Sequence, residues 1–130
     1  MALETEGKML DLHTARAGTA GLLADESRGV YFLAEVEAAV VGQTMVTYEW
    51  SDWRNRFFWW IQSVYVDPPW RRQGVYRALY GHVGELARQE GNVCGLRLYV
   101  IRSNQPAIAA YQQLGMRLSD YLICEQDFPA

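Results

Sequence analysis

A chain of 130 residues, half of them hydrophobic and 13% aromatic, is long enough for one domain with a buried core and too apolar to stay disordered. Its formal net charge of −3 gives no general attraction to nucleic acid, so its arginines act locally. No apolar run reaches membrane-spanning length and no signal peptide opens the chain, so a cytoplasmic protein is expected, with no membrane partner.

The first residues, Met1 to Met9, read as a frayed arm or the tail of a helix. From Asp11, a good N-cap, Leu12, Ala15, Thr19, Leu22 and Leu23 recur at helical spacing until Ser27-Arg28-Gly29. Val30–Val36 has the β-branched and aromatic content of a strand, and Val40–Trp50 returns as the second arm of a hairpin. After the turn Ser51–Asn55, the run Phe57–Val66 is the most hydrophobic strand. One face carries Phe57, Trp59, Ile61, Ser63 and Tyr65, the other Phe58, Trp60, Gln62, Val64 and Val66. A strand apolar on both faces belongs in the middle of a covered sheet.

Pro68 and Pro69 stop that strand, since proline gives no ladder hydrogen bond. The basic turn Arg71-Arg72-Gln73-Gly74 follows, and then a helix with Val75, Leu79, Val83 and Leu86 on one face, ending near Gly91-Asn92. The first turn of a helix holds N–H groups without partners, and its dipole favours negative charge. With Gly74 allowing close approach, the physical reading is a pyrophosphate cradle. Leu96–Ile101 is a further strand. Asn104 can cap a helix with Pro106 in its first turn, with Ile108, Tyr111 and Leu114 inward and a stop at Gly115. Met116 to Phe128 is extended, with a bend at Asp120. Cys94 and Cys124 read as buried reduced thiols, and neither they nor His13 and His82 have metal-ligand spacing, so no metal site is expected.

Two of these stretches resemble one family. Arg71-Arg72-Gln73-Gly74-Val75-Tyr76, preceded by Val66-Asp67-Pro68, is similar to motif A of the GCN5-related N-acetyltransferases, with Tyr76 where that family usually has Gly or Ala. The strand from Leu96, then Asn104, Ala107, Ala110, Tyr111, Leu114 and Gly115, resembles its motif B. The two occur in the family's order, and the likeness runs over roughly residues 30 to 127. It implies a single α/β domain over 1–130: a mixed, twisted sheet flanked by helices on both faces.

The resemblance implies acetyl-CoA wedged between two splayed strands, here Phe57–Val66 and Cys94–Ile101. Backbone groups at Val64, Tyr65 and Val66 would hold the acetyl carbonyl and pantetheine arm. N–H groups of Arg72, Gln73, Gly74, Val75 and Tyr76 would hold the pyrophosphate, with Arg71 and Arg72 adding positive charge. A backbone N–H near Val64 would steady the oxyanion when an amine attacks. Tyr111 is the implied general acid for the leaving thiolate; the alternative is that it only packs its helix. Asn104 is a helix cap, a cofactor contact, or both. Gln62 stands where many relatives carry a glutamate base, and Gln cannot be a base. A water relay, Glu49 or an already neutral amine would have to serve, unless Glu49 is simply an exposed strand-end carboxylate. Of Trp50, Trp53, Trp59 and Trp60, some belong to the core and one or two to an acceptor wall.

The expectation is therefore an N-acetyltransferase using acetyl-CoA and a small-molecule or peptide amine. The rival is a non-catalytic acyl-CoA-binding or partner-binding module. A third reading, a nucleic-acid-binding domain, conflicts with the acidic balance. Relatives usually begin with a strand and a full helix, for which this chain has little room, so Val30–Val36 is expected as an open apolar edge. Such an edge invites a homodimer, unless Met1–Met9 folds back over it.

Overall fold

The computed structural model describes residues 12–129. The expected cap Asp11 and the arm Met1–Met9 lie outside the described residues. The chain divides into a first compact unit that ends at Tyr99 and a second that begins at Val100.

Helix α1, Leu12–Leu23, forms where the apolar spacing places it. Its end is held by Arg28, whose Nη1 donates to Gly21 O at 3.0 Å, a cation at the negative end of the helix dipole. Beyond it, Ser27 donates through both N and Oγ to Asp25 Oδ1 at 3.0 and 2.6 Å. These bonds, aided by Arg28, hold the Asp25 carboxyl below its ordinary range despite slight desolvation.

Strands β1, Val30–Val36, and β2, Ala39–Ser51, form the hairpin. Both turn residues, Glu37 and Ala38, are left-handed, with φ of 50° and 68°, as a two-residue turn requires to match strand twist. Strand β3, Arg56–Val66, lies between β2 and β4, Val93–Arg97, in the order β1-β2-β3-β4. The β1–β2 and β2–β3 pairs are antiparallel and β3–β4 is parallel, so the sheet is mixed.

Helix α2, Val75–Glu90, buries Leu79, Val83, Gly84 and Ala87. Its residues Val83 and Ala87 join Val46, Trp59, Ile61 and Val93 in one buried cluster. That interface explains the central place of β3. The helix starts unusually close to the sheet: a Cβ on Gly42 would stand 2.8 Å from Val75 Cγ1 and 3.3 Å from Tyr65 O. Gly91 ends it with φ 78°, a left-handed cap. On the opposite face α1 approaches through Leu22. Gly29 is wedged between Leu22 Cδ1 and Thr47 Cγ2, and Thr47 bonds to Gln62 on that side.

Three expectations are corrected. The strand expected at Leu96–Ile101, or from Cys94, occupies Val93–Arg97, and its last ladder pair is Trp60↔Arg97. Past that point β3 carries a bulge, and residues 98–101 have no registered strand partner among the described residues. Cys124 is exposed rather than buried. Cys94 is half-buried, its thiol donating to Phe57 O at 3.3 Å. The alternation expected for β3 holds through Gln62 and then slips, because Val64 packs against the same core as Ile61.

In the second unit, α3 spans Gln105–Gln113, with Pro106 in its first turn. Leu114 N bonds to Ala110 O, and Gly115, φ 98°, closes the helix. Residues 116–129 follow without a ladder and bend at Asp120. No described helix is long and apolar enough to cross a membrane.

Candidate functional site

The site begins with a slip in the central ladder. Met45 pairs with Gln62 but Gln43 pairs with Tyr65, so β3 carries an extra residue there. Ser63 absorbs it with φ 50°, a left-handed conformation uncommon for serine. Thr44 Oγ1 donates to Gln62 O at 3.2 Å and Gln43 Nε2 to Ser63 O at 3.4 Å, which pins the bulge from β2. Toward β4 the parallel ladder has already ended at Trp60↔Arg97. Ile61 to Val66 therefore lack a strand partner on that side among the described residues. Backbone groups along such an edge are ready to receive an extended ligand.

The edge leads directly into the turn. Asp67 N bonds to Val41 O at 2.8 Å, and the 3-10 turn Pro68–Trp70 redirects the chain. Arg71 Nε donates to Val66 O at 2.9 Å while its guanidinium lies 5.6 Å from the Tyr65 ring. Gln73 Nε2 donates to Pro69 O at 2.7 Å. These side chains brace the turn. Arg72 and Gly74 are both left-handed, with φ of 63° and 84°, and left-handed residues beside right-handed ones gather N–H groups into an anion-binding concavity. The helical bonding of α2 begins with Ala78 N to Gly74 O at 3.0 Å, so first-turn N–H groups face away from the helix carbonyls. Space above Gly74 is open: a Cβ there would meet nothing within 4 Å. Tyr76, half-buried, turns toward Tyr80 with centroids 6.3 Å apart, so its bulk lies along the helix.

Gln62 and Glu49 share the sheet face opposite α2 but stand apart on it, Gln62 opposite Met45 and Glu49 opposite Phe58. Gln62 Nε2 donates to Thr47 Oγ1 at 2.7 Å. Glu49 Oε1 accepts from Trp60 Nε1 at 3.1 Å and pairs with Arg97 Nη1 at 3.0 Å. Arg97 also stacks on Phe58, its Cζ 3.6 Å from the centroid, with Arg54 at 4.9 Å. Phe58 is thus buried partly under guanidinium groups. Trp60 stacks with Tyr99 at 4.5 Å, Trp59 enters the core, and Trp50 and Trp53 are exposed. The sequence reading had given no site role to Thr47, Ser63, Arg97 or Tyr99. The jump of the core pattern from Ile61 to Val64 was the available signal for the Ser63 bulge.

Asn104 and Tyr111 lie in the second unit. Asn104 Oδ1 accepts from Ala107 N at 3.3 Å, so it does cap α3. Tyr111 is half-buried on the helix that also buries Ile108.

A family model, the acetyltransferase (GNAT) family, matches residues 5–116. The chain belongs to the acetyltransferase (GNAT) family. The structure of a possible acetyltransferase from Clostridium difficile 630 is 44% identical with a TM-score of 0.93, covering 99% of this chain and 85% of that one. Thialysine N-epsilon-acetyltransferase from Caenorhabditis elegans is 31% identical over 87 residues, 66% of this chain and 53% of the relative. The chain spans about half the length of the curated relatives it matches. An aminoglycoside N-acetyltransferase solved with CoA shares the fold at a TM-score of 0.72 and 16% identity, covering 91% of this chain and 89% of that one. The GNAT fold expected from the two motifs is thus the fold observed.

Proposed function

We propose that this GNAT chain, acting as a single domain, transfers acetyl from acetyl-CoA to a primary amine. The observation that carries the reading is the strand Ile61–Val66, which loses its parallel neighbour after Trp60 and runs straight into a helix N-terminal turn. Backbone groups of Val64, Tyr65 and Val66 take the pantetheine arm as an added strand. N–H groups of the Arg72–Tyr76 turn take the pyrophosphate, with the Arg72 charge nearby. Acetyl-CoA supplies a thioester carbonyl, and a backbone N–H near Val64 polarises it at the Ser63 bulge.

Tyr111 gives its phenolic proton to the departing sulfur, and Asn104 adds a cofactor contact to its capping role. Gln62 cannot accept a proton, so the amine reacts in its neutral form or loses its proton to water. Glu49, with Oε1 engaged by Trp60 and Arg97, serves the acceptor side rather than the base role. The thialysine relatives support a primary amine as acceptor. Because β1 ends the sheet among the described residues and Leu33 on it is exposed, we extend the proposal to a two-fold dimer across that edge. A cytoplasmic setting would keep Cys94 and Cys124 reduced.

Thiol release from acetyl-CoA, followed with a panel of primary amines, tests the reading. Amine-dependent release with one acetylated amine per thiol is expected. Firm cofactor binding without release on any amine would favour the non-catalytic module.

A further inference from the structure

The Ser63 bulge is gripped by two side chains of β2 that leave that strand on opposite faces. Met45 pairs with Gln62 and Gln43 with Tyr65, so Thr44 is the one β2 residue opposite both Ser63 and Val64. Thr44 stands beside Phe32, on the face that meets α2 at His82. It is 1% exposed, the only buried polar side chain among the described residues. Its hydroxyl donates to Gln62 O at 3.2 Å. Gln43, half-buried on the other face, donates through Nε2 to Ser63 O at 3.4 Å. Those two carbonyls belong to the two peptide units that flank the Ser63 Cα. Holding both planes sets both backbone angles of Ser63 and keeps it at φ 50°, a conformation sterically disfavoured for a residue with a Cβ.

A trans peptide is planar, with its C=O and its N–H pointing to opposite sides. The unit that carries Ser63 O also carries the Val64 N–H. Drawing Ser63 O toward a β2 side chain therefore turns the Val64 N–H away from β2, toward the edge whose parallel neighbour ends at Trp60↔Arg97. We propose that Thr44 and Gln43 are positioning residues that aim the Val64 N–H at the thioester carbonyl. The inference rests on the acetyl-transfer reading and adds to it two residues that act through the backbone of β3. Thr44 holds the firmer grip, because its bond is the shorter and solvent has no access to replace it. A fixed donor aimed at a developing oxyanion is worth about 10²–10³ in kcat, and a small misplacement forfeits much of that.

Amide NMR and steady-state kinetics on the full chain test the inference. In the wild type, acetyl-CoA should move the Val64 amide proton downfield of its position with CoA, which has no acetyl carbonyl to accept from it. Thr44→Val keeps the branched shape and removes the hydroxyl. It should abolish that difference and lower kcat by about ten- to a hundredfold, with KM for acetyl-CoA held within about threefold. Thr44→Ser keeps the donor and should restore both. Gln43→Glu puts an acceptor of similar shape where the donor was and should act as Thr44→Val does. Thermal melting reports whether each variant is folded; if Thr44→Val is not, Gln43→Glu at its half-buried position decides. Unchanged kcat in a folded variant, or a loss through KM alone, overturns the inference and leaves acetyl transfer standing. A wild-type Val64 amide proton that does not distinguish acetyl-CoA from CoA overturns it as well. Acetyl-CoA binding with no amine acetylated overturns the transfer reading, and the Val64 comparison then decides this inference by itself.

Discussion

Tyr111 is the residue on which proposed turnover rests most directly. A phenol is a fitting proton donor to an alkyl thiolate, and such transfers contribute about 10²–10⁴-fold. Tyr111→Phe removes the proton and keeps the ring. It should lower kcat at least about tenfold while acetyl-CoA affinity and melting temperature hold. Steady-state kinetics with cofactor titration check this; unchanged kcat would give the proton to water or another group. Asn104 differs in kind, because its Oδ1 already accepts from Ala107 N at 3.3 Å. Its replacement costs helix stability whether or not a cofactor contact is lost.

Among the elements, α2 has the most demanding placement. Its first turn must lie where β3 delivers the chain, and Gly42 makes that approach possible. In Gly42→Ala the new methyl would meet Val75 Cγ1 at 2.8 Å and the Tyr65 carbonyl at 3.3 Å. Val75 is β-branched and cannot swing aside freely, so overpacking should cost about 1–3 kcal/mol. Because the displaced turn is the cradle, acetyl-CoA affinity should fall with stability. Urea unfolding and calorimetric titration of the variant measure both effects; loss of stability with unaltered affinity would separate the cradle from the helix seat. The same elements show what the sequence could reveal. Proline at 68 and 69 and glycine at 74 and 91 mark the ends of β3 and α2 because backbone chemistry confines those residues to such places. The early end of β4 follows from a register between strands distant in sequence, which no local pattern encodes. The Glu49–Arg97 pair joins residues 48 positions apart, so it was equally out of reach.

At the scale of the whole molecule, alkaline pH probes the packing of the helix on the sheet. Burial raises the pKa of Tyr48, with the Glu90 and Glu26 charges adding to it. Burial likewise raises Tyr80, opposed by Arg88. A raised folded-state pKa means that the neutral phenol is favoured in the folded chain. Its stabilisation is complete below the unfolded value of about 10 and is lost as pH rises through the folded value. Unfolding free energy should therefore be flat in this respect up to about pH 10 and decline above it. Tyr48→Phe should flatten part of that decline in denaturant titrations between neutral and alkaline pH. An identical slope in the variant would show that Tyr48 does not contribute.

The central claim is that the unpaired edge of β3 and the turn after it form one continuous acetyl-CoA site. Amide hydrogen exchange with and without saturating acetyl-CoA tests it residue by residue. Slowed exchange is expected at Val64–Val66 and from Arg72 to Arg77, with the β1–β2 turn at Glu37 and Ala38 unchanged. Protection confined to other segments, or none while acetyl-CoA is bound, would contradict the account.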